Sequence, residues 1–296
     1  FNDQRIIMKR TVTIPASIVS ILLGLLIAYA GSQGSENYNG IAIFAICASV
    51  SYILHWMIFI PSYIFQTEHY FDLTGSVSYL SALGLGFYLA PSLDLRDFII
   101  GILIAVWAIR LGSFLFLRVK QDGKDGRFTV MKTQFHWYFM TWTIGGLWVF
   151  LTMCAGLAAI TSSESVPLGY TAYFGLALWV FGFCIEITAD KQKRNFKKQK
   201  NKEKEFITSG LWAWSRHPNY FGEITLWIGL TLIALPVLSG WQLVTLISPI
   251  FVYVLLTRIS GITLMENRNI KRWGSDPEYM DYLKRTPALM LRKPKA

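Results

Sequence analysis

Charge is scarce in this sequence. Asp, Glu, Lys and Arg make up 16% of its 296 residues, against roughly 25% in ordinary soluble domains, which argues against a soluble class. Cysteine is scarcer: Cys47, Cys154 and Cys184 each lie within an apolar block. None has a Cys or His at metal-ligand spacing, so neither a disulfide framework nor a zinc site is indicated. No glycine-rich fingerprint follows a strand anywhere, which excludes Rossmann-type dinucleotide binding. A cleavable signal peptide is not expected either. The chain opens at Phe1, and its first apolar block is long enough to span and is followed by others.

Apolar residues are abundant, at 53%, and they come in long blocks. Runs near 20 residues predict helices at about 12–30, 41–65, 76–91, 97–118, 137–160, 169–190, 221–237 and 241–261. The third and seventh are short, which suits a tilted, partly re-entrant or buried segment. These runs are too long and continuous for barrel strands, and in lipid only helices or closed barrels satisfy their own backbone. The expected fold is therefore all-α, a polytopic membrane bundle of about eight helices forming one transmembrane domain over residues 1–296.

The net charge of +10 is distributed in a way that excludes nucleic acid as its target. Arg5, Lys9 and Arg10 precede the first block. Arg118, Lys120, Lys124, Arg127 and Lys132 follow the fourth. Nine basic residues fall within 191–216, and nine more from Arg258 onward. The alternate loops, around 31–40, 161–168 and 238–240, have none, and 91–96 has only Arg96. With eight spans every basic segment lies on one face, which the positive-inside rule makes cytoplasmic together with both termini. The 191–204 run reads either as a loop facing lipid headgroups or as an electropositive mouth for a phosphate-bearing cofactor.

One stretch exceeds what anchoring needs: Ser215-Arg216-His217-Pro218-Asn219-Tyr220-Phe221-Gly222-Glu223. Pro218 suits the first turn of a helix, with Ser215 or His217 near its cap. The free amides and positive dipole end of that helix, beside Arg216, make a candidate anion site suited to a diphosphate. Asn219 and Glu223 are four apart and share a face. A carboxylate at the edge of an apolar helix is costly unless paired. The alternative is a capped interfacial helix with a structural Glu–Arg pair. Trp212, Trp214 and Trp273 read as an interfacial aromatic belt. His55 and His136, near span ends, read as structural rather than catalytic.

The nonapeptide resembles the C-terminal region of the steroid 5-alpha-reductase-like superfamily, which carries an Asn-Tyr/Phe-Leu/Phe-Gly-Glu core. Isoprenylcysteine carboxyl methyltransferases and sterol reductases have related versions. The resemblance is closest to the branch labelled steroid 5-alpha-reductase-like membrane enzymes, which shares Tyr70-Phe71-Asp72-Leu73-Thr74-Gly75-Ser76, Trp107-Ala108-Ile109-Arg110-Leu111 and the ending Tyr279-x-x-Tyr282-x-x-Arg285-Thr286-Pro287. It covers most of the chain from about residue 60 and implies a cofactor-binding region at about 100–296.

That resemblance implies NADPH as cofactor. It matches Asn219 and Glu223 to cofactor-contacting positions, Asp190 to an acidic residue, and Arg194 and Lys197 to positions where arginines are expected. Arg110 corresponds to a basic residue near a span end, there to meet a cofactor phosphate or to snorkel to headgroups. Arg216, His217, Tyr220, Arg258, Glu266 and Asn269 complete the expected cofactor set, within a C-terminal segment that also carries Arg268, Tyr279 and Tyr282. The sequence departs from the steroid reductases by lacking their Gln-Glu-Leu-Pro stretch. Phe71-Asp72-Leu73-Thr74-Gly75 stands in its place. Asp72, with Tyr70, Glu68 or His69, is the candidate acid for a substrate carbonyl, unless Asp72 or Thr74 merely caps the third helix.

The implied activity is NADPH-dependent reduction of an activated C=C bond in a sterol-like or other hydrophobic enone, in a membrane, with lipids as neighbours. A bacterial inner membrane is favoured over the endoplasmic reticulum. Two alternatives stand beside it: an S-adenosylmethionine-dependent membrane methyltransferase and a non-catalytic lipid-binding protein.

Overall fold

The computed structural model describes residues 8–122, 128–199 and 205–294. Arg5, Lys124, Arg127 and the 200–204 end of the basic run lie outside them. The helices, in chain order, are α1 (Arg10–Gly31), α2 (Ile43–Ile64), α3 (Phe71–Leu89), α4 (Leu95–Asp122), α5 (Phe135–Ile160), α6 (Tyr170–Lys198), α7 (Pro218–Ala234), α8 (Ile247–Val254), α9 (Ile262–Trp273) and α10 (Pro277–Arg285). The one two-stranded sheet among the described residues pairs Asn37–Tyr38 with Ile41–Ala42. Its tight turn needs two consecutive residues at positive φ, which Asn39 (50°) and Gly40 (81°) supply.

Among the described residues seven helical segments are long and apolar enough to cross a membrane, and the protein is a multi-pass helical membrane protein. The remaining long helix, α3, carries Asp72, Thr74 and three serines, so it is less apolar. Its 19 residues still extend about 28 Å at 1.5 Å per residue. It packs against α2, α4 and α5.

The chain forms two compact units, Phe1–Leu168 with Ala234–Ser248, and Gly169–Ile233 with Pro249–Ala296. In the first unit α5 is the central helix and touches α1, α2, α3 and α4. It has no charged residue from Phe135 to Ile160, and a helix apolar on every side is one that its neighbours can enclose. Gly145 and Gly146 let α2 approach: a Cβ on Gly146 would meet the Tyr52 Cα at 3.1 Å and the Ser51 carbonyl at 3.2 Å.

The outer helix α1 is built inside out. Thr13, Ser17, Ser20, Gly24 and Gly31 are buried, whereas Ile14, Ile18, Leu22, Leu25 and Leu26 are exposed. Lipid is as apolar as leucine, so close packing and hydrogen bonds hold such helices together. Tyr52 donates to the Ser20 carbonyl at 2.9 Å, and Thr13 Oγ1 meets His136 Nδ1 at 2.8 Å. His55 is fully buried, with Nδ1 2.7 Å from the Ser51 carbonyl. Arg96 is buried too, donating to the Val166 and Pro167 carbonyls at 2.9 and 3.1 Å.

The second unit uses glycine instead. Gly175 and Gly182 on α6 face Gly229 and Gly222 on α7. A Cβ at Gly182 would lie 2.5 Å from the Gly222 carbonyl, and one at Gly222 would lie 2.6 Å from the Gly182 carbonyl. The two backbones are in direct contact, so no side chain fits the seam.

The helix bounds depart from the hydropathy reading in several places. α6 runs eight residues past residue 190, because Lys, Gln and Arg are good helix formers that need only water outside the hydrocarbon. The 191–198 part of the basic run is therefore helix rather than loop. α7 starts at Pro218. The last apolar block is a 3₁₀ segment Gly240–Leu246, then α8, then a π-helical turn Leu255–Ile259.

Replacing Gly222 with Ala should destabilise the protein by about 1–3 kcal/mol, the usual cost of overpacking, because the atoms it meets are backbone. Gly84→Ala, where a Cβ meets nothing within 4 Å, should be neutral. Thermal unfolding of both variants in detergent checks the pair.

Candidate functional site

In the second unit the chain preceding α7 forms the wall of a cavity. A short 3₁₀ turn, Gly210–Ala213, lies against the end of α6: Trp212 Nε1 donates to the Ala189 carbonyl at 3.1 Å and the Leu211 amide to Gln192 Oε1 at 3.0 Å. Pro218 follows as the first residue of α7, where its missing N–H costs nothing. The C-terminal strap secures the intervening residues. The Arg216 amide donates to the Pro287 carbonyl at 2.9 Å, Ser215 Oγ to the Leu289 carbonyl at 2.9 Å, and the Arg292 amide to the Trp214 carbonyl at 3.0 Å. From α10, Tyr282 donates to the Trp212 carbonyl at 2.7 Å, and burial pushes its phenol well above its ordinary pKa.

Arg216 sits at the centre. Its Nη1 donates to the Leu283 carbonyl at 2.8 Å and its Nη2 pairs with Glu266 Oε1 on α9 at 2.8 Å. Arg216 Nε is buried and has no hydrogen-bond partner among the described residues. His217 stacks on the Tyr220 ring, with centroids 5.4 Å apart, and its Nε2 lies 3.5 Å from the same Glu266 oxygen. Burial lowers the His217 pKa and Glu266 partly offsets this, while Lys193 and Arg216 add to the lowering.

The cavity holds about 220 Å³. Lys193, Lys197, Arg216 and Arg272 supply positive charge, and Phe196, Phe206, Trp212, Trp273, Tyr279 and Tyr282 supply aromatic surface. Lys193 Nζ stands 4.7 Å over the Trp212 ring and the Arg272 guanidinium 4.8 Å over Trp273. A neighbouring cleft of about 930 Å³ shares Phe196, Glu205, Phe206 and Trp273 as lining residues. Cations beside aromatic faces hold phosphate and base together, so these residues fit a nucleotide-bearing cofactor.

Of the residues expected to hold that cofactor, Lys197, Arg216, His217, Glu266 and Asn269 line this cavity. Tyr220 backs the His217 ring. Asp190 and Arg194 lie within α6, and Asn219 and Glu223 in the first two turns of α7, all half-buried. Arg258 is exposed on the π-helical turn and is not a lining residue. The acid partner of Arg216 is Glu266, thirteen residues past Tyr253 and far from Glu223 in sequence, so spacing alone had no means of naming it. Trp212 and Trp273 line the cavity, and Trp212 is buried, rather than sitting in a lipid-facing belt. Phe206, Lys193 and Arg272 were absent from the expected set.

The remaining expected residues are in the first unit. Arg110 is on α4, with its guanidinium 5.5 Å over the Phe114 ring. Glu68 is buried and paired with Lys132 at 2.5 Å. Tyr70 is half exposed and occupies the N-cap position of α3 without a side-chain cap. Asp72 lies one residue inside that helix, because α3 begins five residues earlier than the apolar block. It is therefore a first-turn carboxylate favoured by the helix dipole rather than the cap. Thr74 does not cap either, since its hydroxyl donates back to the Tyr70 carbonyl at 2.7 Å.

Fold and site together define the class, a multi-pass helical membrane protein with a basic, aromatic cavity before one of its spanning helices. Residues 58–286 match the family described as protein of unknown function (DUF1295), and the chain belongs to that family. No curated protein and no solved structure matches it significantly.

A histidine held below its unfolded pKa contributes stability that is fully present above the unfolded value and lost as pH falls towards the folded one. The ordinary value is 6.5. The thermal midpoint should therefore drop as the pH is lowered below 6.5. His217→Gln should flatten that part of the profile, as measured by unfolding scans in detergent between about pH 5 and 8.

Proposed function

We propose that the protein is a steroid 5-alpha-reductase-like membrane enzyme, an NADPH-dependent reductase of an activated C=C bond in a sterol-like or other hydrophobic enone. The observation that supports it most is the cavity in which Arg216, Lys193 and Arg272 stand among aromatic rings, with a buried nitrogen of the Arg216 guanidinium that has no acceptor among the described residues. A diphosphate offers the acceptors such a set needs. Trp273 and Phe206 offer faces for a base, and the adjoining cleft offers room for the rest of a dinucleotide. The α7 start, with Asn219 and Glu223 on one face, adds amides and polar groups beside Arg216. NADPH would supply hydride. The chain's own task is to hold the cofactor and deliver a proton. Asp72 is the proposed proton donor, a role that requires its carboxyl to be kept protonated by a desolvated surrounding, with Tyr70 and Glu68 as its proposed helpers. The substrate would be apolar and reach the enzyme through lipid.

A second reading rests on a different observation. Glu205 and Glu266 also line the cavity, and carboxylates among aromatic rings suit a sulfonium cation, as in a methyltransferase using S-adenosylmethionine.

Titrating purified protein with each cofactor separates the two. NADPH should bind and S-adenosylmethionine should not. Arg216→Ala should weaken NADPH about 10- to 100-fold, the worth of one charge-assisted hydrogen bond. Asp72→Asn should leave affinity unchanged while lowering enone-dependent NADPH oxidation by about 10²- to 10⁴-fold. Tight S-adenosylmethionine binding without NADPH binding would replace the first reading by the second.

A further inference from the structure

We propose that the cavity takes up a proton together with its anion, with Arg216 passing from Glu266 to the anion and His217 becoming the new partner of Glu266. The inference rests on the reading that a phosphate-bearing cofactor binds here, and it adds how the site pays for opening.

The geometry behind it is one shared oxygen. Arg216 Nη2 and His217 Nε2 both approach Glu266 Oε1, at 2.8 and 3.5 Å. The guanidinium holds the closer position and the imidazole waits at a longer distance. Arg216 is also tethered independently of Glu266, through Nη1 to the Leu283 carbonyl and through its main-chain amide to the Pro287 carbonyl. Losing Glu266 would therefore leave the guanidinium in place. Its buried Nε already has no acceptor among the described residues. An anion that accepts from Nε and Nη2 gains a bidentate contact, and it takes Nη2 away from the carboxylate.

Glu266 is then a poorly solvated carboxylate without its cation. The nearest group able to replace it is His217, once protonated on both nitrogens by a proton from solvent. The groups around that ring all bear on the exchange. Glu266 on α9 favours the imidazolium, while Lys193 on α6 and Arg216 on the same segment oppose it. The Tyr220 ring of α7 stacks on it. Tyr279 and Tyr282 of α10, Lys197, Glu205 and Arg272 line the same cavity. An incoming anion screens both opposing cations and frees the favouring carboxylate, so every change it makes raises the affinity of His217 for a proton. By linkage, affinity for the anion must rise as pH falls, with a slope no steeper than tenfold per pH unit for one proton.

The test is calorimetric titration of the full chain with NADPH between about pH 6.5 and 8.5, in buffers of different ionisation heat. The wild type should take up part of a proton and bind more weakly as pH rises. His217→Gln should bind but keep only the contribution of the nucleotide's own 2′-phosphate, whose second ionisation lies near 6. NADH, which lacks that group, removes even this. Glu266→Gln should bind inorganic pyrophosphate severalfold more tightly than the wild type, since Arg216 then has no internal competitor, and with only the pH slope that pyrophosphate's own ionisation imposes. Coincident pH profiles for wild type and His217→Gln would overturn the linkage alone, as would weaker pyrophosphate binding by folded Glu266→Gln. Absence of any NADPH or pyrophosphate binding by the wild type would overturn the cofactor reading, and this one with it.

Discussion

The guanidinium of Arg216 is held from three directions, by the Leu283 carbonyl, by Glu266 and, through its own main chain, by Pro287. Those three contacts join α9, α10 and the C-terminal strap to the segment that starts α7. Removing a half-buried cation of this kind leaves a carboxylate and a carbonyl without their partner, a cost larger than the net worth of the pair itself. The second unit's water-side architecture therefore depends on a residue that also lines its cavity, with a guanidinium nitrogen that has no hydrogen-bond partner among the described residues. Under the proposed function, structure and binding compete for one side chain. In the proposed exchange His217, whose Nε2 lies 3.5 Å from the same Glu266 oxygen, is the group that takes up what Arg216 releases.

The two units reach close helix packing by different chemistry. Around α5 the approach is made by small residues that admit large ones: Gly145 and Gly146 take His55 and Tyr52, and Gly75 takes Trp148. Inward-facing Thr and Ser add hydrogen bonds. Between α6 and α7 four glycines remove side chains altogether and bring backbone against backbone. Lipid offers no hydrophobic drive to either arrangement, so dispersion and weak polar contacts must suffice. The glycine seam sits just beyond the cavity on both helices. It fixes the position of the α7 start relative to Lys193 on α6 without filling the space between them.

The spans were legible because the physics is coarse. A run near 20 apolar residues has few alternatives once lipid forbids open backbone. The Arg216-His217-Pro218 start of α7 was legible for a similar reason: proline at a first turn and a basic residue before it are local rules. Three features were not. Hydropathy cannot see α6 continuing to Lys198, since lysine, glutamine and arginine are polar yet favour helix. It also cannot distinguish α5, enclosed on all sides, from α1, exposed along its apolar face, because burial in protein and burial in lipid select the same residues. The third is the pairing of Arg216 with Glu266. Fifty residues separate them in the chain, and only the turn through Leu255–Ile259 and Gly261 brings α9 back.

That turn has its own requirement. The wider π-helical ring directs the Leu256 carbonyl at the place where a Cβ of residue 261 would stand, so glycine is demanded there by sterics rather than by a positive φ. Just past it α9 changes character from apolar to strongly amphipathic, carrying Glu266 and Asn269 towards the cavity while Arg268 and Lys271 face water. π turns persist where a helix must be re-aimed. Here a straight continuation of the last apolar block would have rotated every later residue to a different face. Glu266 would then have no assured approach to Arg216, and the cavity would keep its cations but lose the carboxylate that holds them in check. The π-helical turn, the half-buried ion pair and the cavity's mixed charge are thus consequences of one constraint, that a helix leaving the apolar layer must present its acidic residue to the guanidinium before α7.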